Sequence, residues 1–173
     1  MNRSEHKKAR NVVLAAFYAL LFAACGARED PKFRSDLDEF VKKGSILNSY
    51  TAQGVSYQTF ADQLARTSAA FDILSESWPK DRLQSARIGF SKAVYVWSVT
   101  LKVWKRQLRG EKYLLYAGDD LNQINEVLEA MERMPVAQGT REDEKAYLKT
   151  MVSEMMSYAS EKFETGRKEL SAK

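Results

Sequence analysis

Residues 79–110 read PKDRLQSARIGFSKAVYVWSVTLKVWKRQLRG, and the spacing of their apolar side chains decides the fold. Leu83, Phe90, Val94, Trp97, Leu101, Trp104 and Leu108 recur at steps of three, four and seven, interrupted only by Arg87. That period places them on one side of a helix. Val96, Val99 and Val103 form a second stripe on another side. A helix that is apolar on two sides belongs in the middle of a bundle, packed against more than one neighbour. Proline suits a first helical position and glycine a terminator, so the predicted helix runs from Pro79 to just before Gly110 and is about 45 Å long at 1.5 Å per residue.

The flanking sequence repeats this logic. Asp30-Pro31 reads as an N-cap followed by the first residue of a helix carrying Leu37, Phe40, Val41, Leu47 and Tyr50, with Gly44 as a candidate kink. Gly54 ends that helix. Ser56 caps the next, and Val55 is placed to staple against Phe60. Phe60, Leu64, Thr67, Phe71, Leu74 and Trp78 then alternate steps of four and three up to Pro79, whose preceding residue is pushed out of the helical region. Beyond Gly110, an aromatic loop over Tyr113–Tyr116 leads to an Asp119 cap and a short helix bearing Leu121, Ile124, Leu128 and Met131, which Pro135 and Gly139 break. Thr140 with Asp143 suggests a capping box for a last helix whose apolar side holds Tyr147, Leu148, Met151, Val152, Met155 and Tyr158. No segment alternates apolar and polar residues as a strand does. The expected fold is all-α: an up-and-down bundle of four or five helices over 31–173, following an N-terminal signal peptide.

Lysine and arginine exceed aspartate and glutamate by 27 to 23, but the excess is local. Residues 1–24 hold Arg3, Lys7, Lys8 and Arg10 against Glu5 alone, so without them the chain has 23 basic and 22 acidic residues. A nearly neutral domain is not a charge-driven nucleic-acid binder, and no nucleic-acid partner is expected. The single cysteine, Cys25, and the single histidine, His6, both precede the helical region. Thiol catalysis, serine–histidine relays, haem ligation by histidine and the usual zinc, copper and di-iron sites therefore lack their parts in the body of the chain. Neither cofactor nor metal is expected.

After the basic residues 1–10, Asn11 to Ala24 carry no charge, and Arg28, Glu29 and Asp30 close the run. A spanning helix needs about 20 apolar residues. This shorter run reads as the n-region and h-region of an export signal. The junction Leu21-Phe22-Ala23-Ala24-Cys25-Gly26 resembles the lipobox of bacterial lipoproteins, with Phe22 standing where that class prefers leucine. The resemblance covers the signal only. It implies a diacylglycerol on the Cys25 sulfur, cleavage before Cys25, a signal peptide over 1–24 and a short tether over 25–30. Gly26 stands where aspartate would imply inner-membrane retention, so the implied address is the outer membrane, facing the periplasm, in a Gram-negative host. The alternatives are ordinary cleavage after Ala27, which gives a soluble periplasmic protein, and a short membrane anchor that stays uncleaved.

Within the domain, 80–112 holds nine basic residues against Asp81 and Glu111. Trp104, Lys105, Arg106, Arg109 and Lys112 form a candidate partner-binding end, where cations and an aromatic ring act together on an acidic partner or headgroup. The competing reading is structural: cations are favoured at a helix C-terminus, and Asp119, Asp120, Glu126, Glu129 and Glu132 offer counter-charges. Met131, Met134, Met151, Met155 and Met156 read as core filler, with a partner groove or a soft copper site as the sharper alternatives. Glu76-Ser77 resembles the pair at the catalytic acid of helical lytic transglycosylases, without their other marks. The leading functional expectation is a non-enzymatic, lipid-anchored module that binds or positions an envelope protein, its membrane contact being the lipid on Cys25. The alternative is an enzyme acting on cell-wall or lipid material, which requires two carboxylates about 5–9.5 Å apart across a cleft.

Overall fold

A computed structural model describes residues 30–110, 118–132 and 144–171. These residues form α1 (Pro31–Gln53), α2 (Tyr57–Ser77), α3 (Gln84–Leu108), α4 (Gly118–Ala130) and α5 (Glu144–Ser171), and no strand occurs among them. The protein is an all-α bundle, as its periodicity predicts. The Tyr113–Tyr116 loop, Pro135, Gly139 and the Thr140–Asp143 capping box lie outside the described residues.

The turn between α1 and α2 follows the sequence closely. Gly54 adopts φ 71°, a left-handed conformation open to glycine at little cost, and its N–H donates to the Tyr50 carbonyl at 3.0 Å. The Ser56 hydroxyl accepts from the Thr59 N–H at 3.1 Å and so satisfies one orphan donor of α2. Val55 packs half-buried against the core. The α1 helix runs as one continuous helical segment through Gly44, which is buried. Gly44 receives a ring: a Cβ there would collide with Cε2 of Phe163.

The start of α3 departs from expectation. The helix begins at Gln84 rather than Pro79 and spans 25 residues, about 37 Å at the helical rise. Residues 79–83 form a turn, closed by Leu83 in the left-handed region at φ 61°. That turn is held by its own hydrogen bonds: Trp78 Nε1 donates to the Arg82 carbonyl at 3.3 Å, and Gln84 Nε2 donates to the Lys80 carbonyl at 2.6 Å. Leu83 packs half-buried against the core, and burying its side chain offsets the strain of its backbone.

Paired side chains give the helix directions. Ser77 with Asp36 and Gln63 with the Lys43 carbonyl run α1 and α2 antiparallel. Trp78 beside Phe90, and Phe60 beside Trp104, do the same for α2 and α3, while Tyr95 with Glu126 and Lys102 with Gln123 do so for α3 and α4. Short loops thus make sequence neighbours α1 to α4 alternate. The fifth helix lies antiparallel to α1, through Thr51–Ser160 and Asn48–Glu164, and closes against α3.

The middle helix packs closely against α2, α4 and α5, as its two apolar stripes predict. The second stripe is the deeper one: Val96, Val99 and Val103 are buried together with Ala86, Gly89, Ala93 and Thr100. In the heptad stripe Phe90 and Trp97 are buried, Val94, Leu101 and Trp104 half-buried, and Leu108 is 61% exposed because α3 ends there. The core centres on rings. Phe163 of α5 lies 6.0 Å from Phe40, 5.5 Å from Phe90 and 5.6 Å from Trp97, centroid to centroid. Phe33 stands edge-on to Trp78 at 5.4 Å.

At Gly89 and Gly166 the α3 and α5 backbones touch. A Cβ on Gly89 would lie 2.9 Å from the Gly166 nitrogen and 3.1 Å from the Lys162 carbonyl oxygen. Buried threonines return their hydroxyl protons to the preceding turn: Thr67 to the Gln63 carbonyl at 2.9 Å and Thr100 to the Val96 carbonyl at 2.7 Å. Among the described residues Asn48 Oδ1 and Trp97 Nε1 are buried without a hydrogen-bond partner.

Candidate functional site

Cys25 and Lys112 lie outside the described residues. The rest of the candidate basic end is well placed by the antiparallel α2–α3 pair, which brings the first turn of α2 beside the last turns of α3. Trp104 is half-buried there, edge-on to Tyr57 at 5.7 Å and tilted against Phe60 at 5.8 Å. Its indole pins the start of α2. Lys105 is exposed, Arg106 is half-buried, and exposed Arg109 caps α3 with its N–H directed to the Lys105 carbonyl at 3.2 Å. Lys105 and Arg106 in the last turn face the negative end of the helix dipole. Arg106 and Arg109 each have an interaction within the molecule, and Lys102 Nζ donates to Gln123 Oε1 at 2.7 Å. The structure therefore brings Trp104, Lys105, Arg106 and Arg109 to one end of the bundle. The aromatic residue that sequence reasoning missed there is Tyr57, whose proximity depends on the helix pairing and leaves no local signal.

The expected counter-charges serve other partners in part. Glu126 accepts a hydrogen bond from the Tyr95 hydroxyl at 2.7 Å. Burial, reinforced by that carboxylate, pushes the Tyr95 phenol up from its ordinary value to about 12. Glu129 and Glu132 are exposed, and the side chains of Asp119 and Asp120 lie outside the description.

Met151, Met155 and Met156 are buried in the core, with Met131 packed half-buried against it, so these thioethers fill space between helices. Met134 lies outside the described residues. Glu76 is exposed at the end of α2. Its neighbour Ser77 is a clasp, donating to Asp36 Oδ2 at 2.8 Å across to α1. A surface depression near the end of α5 is lined by Glu164, Arg167, Lys168 and Ser171. Its one carboxylate already accepts from Asn48 Nδ2 at 3.0 Å and pairs with Arg167 at 3.2 Å. Two-carboxylate chemistry has no second acid in that lining.

Among the described residues, no group of three or more metal-ligating side chains converges, and no helix is long and apolar enough to cross a membrane. No protein-family model, curated protein or solved structure matches this chain.

Proposed function

We propose that this chain is a lipid-anchored protein of the bacterial envelope, whose helical domain binds or positions another envelope protein and performs no catalysis. One observation carries the proposal: the lone cysteine stands at the end of an uncharged run, in the sequence Leu21-Phe22-Ala23-Ala24-Cys25. Acylation there gives a sufficient anchor. Each buried methylene contributes about 0.8 kcal/mol, so one chain binds marginally and two or three hold a protein stably. Gly26 favours the outer membrane in a Gram-negative host. The exposed position of Glu76 at the end of α2, in place of the sheltered setting that a glycosidic acid needs, supports the non-catalytic half of the proposal.

Metabolic labelling with a fatty-acid analogue, comparing wild type with Cys25→Ala, tests the anchor. The expected outcome is a labelled, membrane-bound wild type and an unlabelled variant released from the membrane. An unlabelled wild type with unchanged partitioning overturns the proposal. For the binding role, in-cell crosslinking is expected to recover a protein client in defined stoichiometry; recovery of bulk lipid and porins alone contradicts it.

A further inference from the structure

We draw no further inference here: the strongest candidate, the outward face of α2 on which Ala65, Ala69 and Ile73 are exposed, is an unpartnered face with nothing in the structure to show what covers it.

Discussion

Helix α5 meets α3 backbone to backbone at Gly89 and Gly166, whereas α1 reaches the same core through Phe33, Phe40 and Leu47. At Gly89 the atoms across the first contact are all backbone and cannot move aside as a side chain can, so it is limited by what can be added. The second spreads its burial over deformable rings, so it is limited by what can be removed. Both are apolar helix contacts, yet they fail in opposite directions: one by overpacking, the other by cavity formation.

Truncating the ring contact has the largest expected effect. Phe40 is fully buried and contacts Phe71, Phe90 and Phe163, so Phe40→Ala is expected to cost about 3–5 kcal/mol by urea unfolding. A loss below about 1 kcal/mol would mean that α1 is not docked as described.

On the backbone side, Gly89→Ala gains about 1 kcal/mol of helix propensity but incurs an overpacking cost of about 1–3 kcal/mol against atoms of α5 that cannot yield. Net destabilisation is expected, because the nearest atoms to the added Cβ are the nitrogen and Cα of Gly166 and the carbonyl oxygen of Lys162. A stabilised variant would show that the helices stand farther apart.

Gly44 sharpens the comparison, since its added Cβ would meet a side chain, the Phe163 ring, rather than backbone. In a double-mutant cycle, Phe163→Leu is expected to relieve Gly44→Ala by roughly 1 kcal/mol and to give Gly89→Ala no comparable relief. Equal relief for both would erase the distinction between the two contacts.

Smaller effects lie at the edges of the bundle. Ser56→Ala removes the hydroxyl that accepts from the Thr59 N–H and is expected to cost about 1 kcal/mol. Tyr95 gives a pH signature. Its phenol is held protonated in the fold, to about 12 against an ordinary 10, so its contribution is present below pH 10 and is lost as pH rises toward 12. Tyr95→Phe is expected to remove a tyrosinate absorbance step near pH 12, and the variant's stability should fall less steeply over that alkaline range.

What the chain discloses locally, it discloses well. Gly54, Ser56 and Pro79 mark the bounds of α2 because caps and breakers act within a few residues, and the two stripes of α3 foretell its neighbours. The failures are tertiary. Proline at 79 suits a helix start, but the turn bonds of Trp78 and Gln84, with Leu83 in a left-handed conformation, delay α3 to Gln84. Phe163 sits among Ser, Glu, Lys and Thr, so the apolar side read for the last helix stops at Tyr158 although the core continues to Gly166. The role of Gly166 itself depends on a partner helix about 75 residues away, which no local pattern reports. The candidate basic end was legible as a cluster on α3, while the packing of Trp104 against Tyr57 and Phe60 needed the helix pairing. Cys25 differs again: its reading rests on covalent processing chemistry, to which helix packing contributes nothing.

The anchor is tested most directly by mass spectrometry of the N-terminal peptide of the protein extracted from membranes of its native host. The expected result is a peptide that begins at Cys25 and carries the added mass of a diacylglyceryl group. A peptide that begins at another residue and has no acyl mass would contradict it.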